Sequence, residues 1–372
     1  MLSDSQPSSR NALLPCRVMV VDDSAVIRGA LTRICESDPG ISVVATAVNG
    51  YAALSSLKRI PVDVVILDIE MPVMDGLTAL PEILKISPKT KVLMASTLTL
   101  RNAEISLKAL SLGASDYIPK PSTAQEVQNL DSFRRELVTK VRILAGRPLP
   151  RVEREPSSVM PVRQDVKTSQ TSLKLRPLPI RLPAAFVIGS STGGPQALME
   201  VMRGLKDILK PIFITQHMPP KFTTALAKHL TTIVGRTVDE ASHGQIVETN
   251  GIYLAPGDFH MRVERTSSGH KLLLDQGPKE NFCRPSVDPL FKSASDAYAG
   301  QVMAVMLTGM GSDGLNGSRY LIDRGGALIA QDEATSVVWG MPGAVSEAGL
   351  ASAILPLNKI AETMCAFAGK KG

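Results

Sequence analysis

A serine, a histidine and an aspartate (Ser191, His217 and Asp313) each stand just beyond a short apolar run of the sequence. The serine lies in Ile188-Gly189-Ser190-Ser191-Thr192-Gly193-Gly194-Pro195, with the apolar run Pro183 to Ile188 before it and helical spacing from Gln196 to Leu205 behind it. The glycines permit positive φ and close backbone approach, and Pro195 suits a first helical turn, where a missing N–H costs nothing. A hydroxyl on such a strand-to-helix turn serves either of two chemistries. It can attack as a nucleophile with free helix N–H groups as oxyanion donors, or those N–H groups can cradle a phosphate. For the first, serine needs an adjacent base, and the base needs a carboxylate to fix its tautomer.

The elements that must bring these groups together are also legible. Pro211 to Gln216 leads into His217, and Gln301 to Leu307 leads into Thr308-Gly309-Met310-Gly311-Ser312-Asp313-Gly314. Each run is followed by a helix-like segment, the pattern of a parallel sheet built from βα units, whose strands all end at one edge. Ser191, His217 and Asp313 are therefore expected to meet at that edge.

A second constellation precedes the first in the chain. Arg17 to Val21 runs into Asp22-Asp23, Val62 to Leu67 into Asp68, Lys91 to Ala95 into Ser96, and Asp116 to Pro119 into Lys120. As strands of one parallel sheet they place two aspartates, a third aspartate, a hydroxyl and a lysine at a single edge. Carboxylates that close repel one another unless a cation sits between them, and Mg²⁺, which takes few protein carboxylates and several waters, fits. With the charge neutralised, one carboxylate can accept a phosphoryl group while lysine and hydroxyl hold its oxygens.

Two resemblances follow from these residues. Ser191-Thr192-Gly193-Gly194, Gln216-His217-Met218-Pro219 and Thr308 to Gly314 resemble, in order, the three motifs of the chemotaxis protein-glutamate methylesterases of CheB type. The residue before the nucleophile, usually alanine there, is Ser190 here; matching the threonine-glycine-glycine that follows selects Ser191. The segment from about Cys16 to Ser122 is similar to the receiver domain of response regulators. The resemblance implies Ser191, His217 and Asp313 as catalytic residues, with Met310 and Thr192 near the oxyanion and Arg284 either at the substrate or in a salt bridge. It implies Asp68 as phosphoacceptor, Asp22, Asp23 and Asp68 at Mg²⁺, Ser96 and Lys120 at the phosphate, and Tyr117 as the switch aromatic. Ester hydrolysis itself needs no cofactor. The implied substrates are methylated chemoreceptors, the phosphodonor a chemotaxis histidine kinase, and glutamine deamidation a related reaction.

Length and composition set the frame. A chain of 372 residues suggests two or three domains, and 44% hydrophobic with 20% charged residues is ordinary for a soluble globular protein. The start of the sequence lacks a signal-peptide pattern and no apolar run would span a bilayer, so a cytoplasmic protein without membrane insertion is expected. The net charge of +6 would point to nucleic acid, but much of the excess falls between Arg147 and Pro183 and no aromatic-basic interleaving accompanies it, so no nucleic-acid partner is expected. The cysteines Cys16, Cys35, Cys283 and Cys365 show no metal-ligand spacing and read as reduced thiols.

The expected architecture is α/β: two doubly wound parallel-sheet domains, a flavodoxin-like receiver over 16–146 and a Rossmann-like serine esterase over 183–372. A loose arm (1–15) precedes them, and a proline-rich basic tether (147–182) joins them. The expected activity is a phosphorylation-activated glutamate methylesterase. Its rivals are a phosphate-binding module and a regulator that acts only by binding a partner.

Overall fold

A computed structural model of the chain describes residues 14–120, 130–147, 175–177 and 181–369. Most of the arm and tether expected at 1–15 and 147–182 lies outside these residues. Contacts group the chain into two compact units, Met1–Thr97 with Leu112–Pro150, and Leu98–Ser111 with Arg151–Gly372.

The first unit carries β1 (Cys16–Val21), α1 (Ala25–Glu36), β2 (Ile41–Ala47), α2 (Gly50–Leu57), β3 (Val64–Asp68) and α3 (Gly76–Ile86). β4 (Lys91–Ser96), β5 (Asp116–Pro119) and α5 (Leu130–Leu144) complete it; α4 (Leu100–Ser111), which lies between β4 and β5 in the chain, groups with the second unit. The five strands pair in parallel in the order β2-β1-β3-β4-β5. Central strands of such a sheet are covered on both faces, which explains why β3 reads as an unbroken apolar run and why every one of its residues is buried. Val18, Val20, Ile66, Leu93 and Ile118 pack with Leu31 of α1 and Leu137 and Val141 of α5. Each such side chain contributes about 1.5–3 kcal/mol on burial. Helix starts follow local chemistry: Asn49 and Asp75 cap α2 and α3 by accepting from Ala52 N and Thr78 N.

The second unit is built on β6 (Ala185–Ser190), α6 (Gly194–Arg203), β7 (Ile212–Gln216), α7 (Phe222–Val234), β8 (Asp239–Glu240) and β9 (Ile252–Leu254). An antiparallel hairpin, β10 (His260–Thr266) with β11 (Gly269–Asp275), leads to α8 (Val287–Ala297), β12 (Val302–Met306), α9 (Leu315–Asp323) and β13 (Ala327–Gln331). α10 (Met341–Glu347), β14 (Ala353–Leu355) and α11 (Leu357–Phe367) follow. Seven parallel strands run in the order β14-β13-β12-β6-β7-β9-β8. From β6 the chain steps to β7 on one side and returns much later to β12 on the other. The crevice where the winding reverses, between β6 and β12, is where parallel sheets collect ligands.

Both sheets therefore match the doubly wound class expected from the sequence. Among the described residues no helix is long and apolar enough to cross a membrane.

Candidate active site

β12, β6 and β7 are neighbours in the sheet, so the segments that leave their carboxyl ends share one edge. Ser190 ends β6 with no exposure, and its Oγ donates to Gln216 Oε1 at 2.7 Å. Gln216 Nε2 in turn donates to the carbonyls of Ser191 at 2.9 Å and His217 at 3.2 Å, so one amide side chain ties the two strand ends together. A Cβ on Gly194 would fall on Gln216 Oε1, which is why this turn needs glycine there.

Ser191 is the next residue and only half-buried. Its N–H donates to Thr308 O at 3.0 Å, and Thr308 Oγ1 returns a bond to Thr192 O at 2.9 Å. Among the described residues no hydrogen bond reaches Ser191 Oγ, and the amides of Thr192 and Met310 have no protein acceptor. A free hydroxyl beside free N–H groups is what a substrate carbonyl would require.

Gly309 limits how Ser191 can sit. A Cβ at Gly309 would lie 2.9 Å from Ser191 Cβ and 3.1 Å from Ser191 N, against Met341 Sδ on its other side. Gly309→Ala is expected to push Ser191 by some tenths of an ångström and to lower kcat for any reaction in which Ser191 attacks a carbonyl about 10–100-fold without unfolding the protein. An unchanged kcat in a folded variant would show that Ser191 is not held at this turn for chemistry.

His217 is fixed at both nitrogens. Nε2 meets Asp313 Oδ2 at 2.7 Å, and Nδ1 faces Cys283 Sγ at 3.4 Å. A carboxylate at Nε2 keeps the proton there, which leaves Nδ1 as the acceptor of the neutral ring. Asp313 is buried and accepts from every side: Val287 N also reaches Oδ2 at 2.7 Å. Asn281 Nδ2, Ser286 Oγ and Gly314 N reach Oδ1 at 2.8, 2.7 and 2.9 Å. Burial works to raise this carboxyl's pKa, but the bonds from His217, Val287 N and Ser286 outweigh it and bring it down to about 2. For His217, burial works to lower the pKa; negative charge at Cys283 and Asp313, with their hydrogen bonds, reverses this and pushes it up to about 10.

Cys283 reaches His217 from a two-residue turn. Glu280 and Cys283 exchange both backbone bonds, at 3.2 and 2.9 Å, and Asn281 and Phe282 between them have φ of 51° and 64°. That is a type I′ geometry, which favours glycine at the second position, yet Phe282 occupies it and stands 86% exposed. A bulky residue at positive φ costs of order 1–3 kcal/mol and persists where its surroundings enforce it. Here Asn281, held to Asp313 and to Asp288 Oδ2, supplies part of that enforcement. Arg284, just beyond, gives Nε and Nη2 to Asp258 Oδ1 and Nη1 to the carbonyls of Gln276 and Gly277. Of the two roles open to it from the sequence, the salt bridge is the one its donors are engaged in.

The first unit gathers the other constellation at its own switch point, between β1 and β3. Asp22, Asp23 and Asp68 offer carboxylate oxygens within 4.8 Å of one another. Lys120 Nζ bridges Asp22 Oδ2 and Asp68 Oδ1, each at 2.6 Å, so a cation already neutralises part of the charge. Burial nevertheless raises the Asp68 pKa against the pull of Lys120. Oxygen-only donors, with Asp23 open to solvent, suit a hard ion that keeps water ligands, so the residues fit Mg²⁺. Ser96 is buried at the end of β4. Tyr117 is buried too, with Lys140 Nζ 5.2 Å from its ring centroid.

Sequence reasoning missed Gln216 as a clamp, Asn281 and Ser286 as holders of Asp313, and Cys283 as a neighbour of His217. All but Gln216 lie in a loop without periodicity, where spacing carries no signal. Of the remaining histidines, His260 is buried and bonds Pro278 O, His270 stacks on Tyr298 with ring centroids 4.0 Å apart, His229 is half-buried and His243 is exposed.

Comparison with known proteins gives a consistent picture. Residues 186–364 match the family model of the CheB methylesterase, and residues 18–130 that of the response regulator receiver domain. The chain is 51% identical over 368 residues to a protein-glutamate methylesterase/protein-glutamine glutaminase of Azospirillum brasilense, covering 96% of this chain and 93% of that one. It is 48% identical to a protein of the same name from Rhodospirillum rubrum, with both chains covered in full. Among solved structures, the CheB methylesterase catalytic domain of Thermotoga maritima is 42% identical over 49% of this chain and 97% of its own, with a TM-score of 0.48.

Proposed function

The chain belongs to the CheB methylesterase family, with a response regulator receiver domain ahead of the catalytic part. From that premise we propose that it hydrolyses glutamate γ-methyl esters on chemoreceptors to glutamate and methanol, and deamidates selected glutamines. The observation that supports this reading is the placement of Ser191, His217 and Asp313 on segments that leave the same edge of three adjacent strands, with His217 and Asp313 in direct contact. Ser191 Oγ attacks the ester carbonyl, and the negative oxygen that develops is received by backbone amides, those of Thr192 and Met310 being free to do so. His217 takes the serine proton at Nδ1 and returns it to the departing methanol, then takes a proton from the water that cleaves the resulting Ser191 ester and returns it to the serine as glutamate leaves. Asp313 holds the ring in the required tautomer and stabilises it while charged.

Asp68 is the phosphoacceptor in this reading, and a chemotaxis histidine kinase the donor. Asp22, Asp23 and Asp68 would hold Mg²⁺, which supplies charge neutralisation for phosphoryl transfer. Lys120 and Ser96 then receive the phosphoryl oxygens, and inward Tyr117 reports the state of the domain.

Methanol release from a methylated receptor tests the activity. A fluorophosphonate probe tests the chemistry, since it traps an activated serine, and labelling that survives Ser191→Ala would refute the assignment. For regulation, a small phosphodonor with Mg²⁺ is expected to raise demethylation by full-length protein. Asp68→Asn is expected to abolish that rise and leave fluorophosphonate labelling of Ser191 intact; equal stimulation of wild type and variant would remove Asp68 from the pathway.

A further inference from the structure

We propose that Cys283 is a positioning residue that competes with Ser191 for Nδ1 of His217 and sets how much of the enzyme has its base free. The inference rests on the esterase reading above. With Nε2 committed to Asp313, Nδ1 is the one ring nitrogen through which Ser191 can be activated, and at rest that nitrogen faces the Cys283 sulfur at 3.4 Å. The serine hydroxyl meanwhile has no hydrogen-bond partner among the described residues. The competition is built into the backbone: the type I′ turn at Asn281 and Phe282 turns Cys283 inward, and Asn281 is anchored on the same Asp313 that holds the imidazole.

Proton transfer follows from the chemistry of the pair. The thiol gives its proton to Nδ1, leaving a thiolate and an imidazolium with the total charge unchanged, as in thiol–imidazole pairs generally. An imidazolium cannot accept a proton from serine. The groups acting on His217 are Cys283 from the turn and Asp313 from the loop after β12; Asp288 at the start of α8 lies beyond Asn281, and Arg284 is turned away to Asp258. The pKa of His217 is raised against the pull of burial, with its contacts to Cys283 and Asp313 as the cause. A raised pKa in a base has a definite sign. The neutral, competent form fills only as pH climbs toward the raised value, so removing the thiolate must move the activating limb to lower pH.

The test is the pH dependence of kcat for demethylation by full-length wild type, Cys283→Ala and Cys283→Ser, with thiolate ultraviolet absorbance followed in parallel. Both variants are expected to shift the rising limb down by about one pH unit or more. They are also expected to raise kcat several-fold near neutral pH, leave KM little changed, and lack the thiolate absorbance that wild type shows at neutral pH. A purely packing role would change kcat by a constant factor at every pH. Profiles that superimpose, or that differ by one constant factor at every pH, would overturn the proposal. The underlying reading fails separately, if Ser191→Ala keeps its turnover in the wild-type background.

Discussion

Ser191→Ala is expected to lower demethylation by about 10⁵-fold or more, whereas the adjacent Ser190→Ala changes turnover by less than about tenfold. The gap between these neighbours follows from where the strand ends. Ser190 is still part of β6, fully buried, with its hydroxyl spent on Gln216. Ser191 has left the sheet, and its hydroxyl is available. Ser190→Ala has its effect elsewhere: it leaves Gln216 Oε1 buried without its donor, which costs about 1–3 kcal/mol of stability. Methanol release and urea unfolding on both variants separate the outcomes. A catalytic loss in Ser190→Ala as deep as that in Ser191→Ala would mean that the turn presents the other hydroxyl.

Asp313→Asn is expected to reduce kcat by about 10⁴-fold and also to destabilise the fold, although the two side chains have the same shape. One oxygen faces His217 Nε2 and Val287 N, and the other faces Asn281 Nδ2, Ser286 Oγ and Gly314 N. Whichever way an amide is turned, its NH₂ meets a backbone N–H that cannot reverse its polarity. The variant must either leave donors unpaired or move the loop, and His217 loses the partner that fixes its proton on Nε2. The pH behaviour carries the same signature. Because the carboxyl is held at about 2 in the folded protein against an ordinary 3.8, its contribution is fully present above 3.8 and is lost as pH falls through about 2. That depression corresponds to roughly 2 kcal/mol. Wild type and Asp313→Asn should therefore converge in stability under strong acid and diverge above it; a constant difference across that range would show that the carboxylate's charge is not what holds the loop.

Much of this was legible because parallel sheets write their active edge into the sequence. Ser191, His217 and Asp313 each follow an apolar strand closely, as do Asp22, Asp68, Ser96 and Lys120, and strands that are buried on both faces cannot be mistaken for solvated segments. The groups that hold them were not legible for the complementary reason. Asn281, Cys283 and Ser286 lie on a loop whose conformation is decided by contacts with Asp313 and His217, and nothing local announces those contacts. Arg284 illustrates the limit from the other direction: its type suits a substrate carboxylate or a salt bridge equally, and only the position of Asp258 and two carbonyls shows where its donors go.

The order β12-β6-β7 has a kinetic consequence. Thr308 bonds back to Thr192 across a sequence separation of 116, and β12 reaches β6 only after the hairpin and α8 have been laid down. Closing so long a loop is slow and entropically costly, and no contact within the catalytic constellation rewards it earlier. During refolding, or while the chain leaves the ribosome, helices and the β6–β7 pair can form while the aspartate is still remote from its histidine. The nucleophile is thus born without a working base, and hydrolytic competence arrives with the last long-range strand pairing, so that a half-folded chain is an inert one.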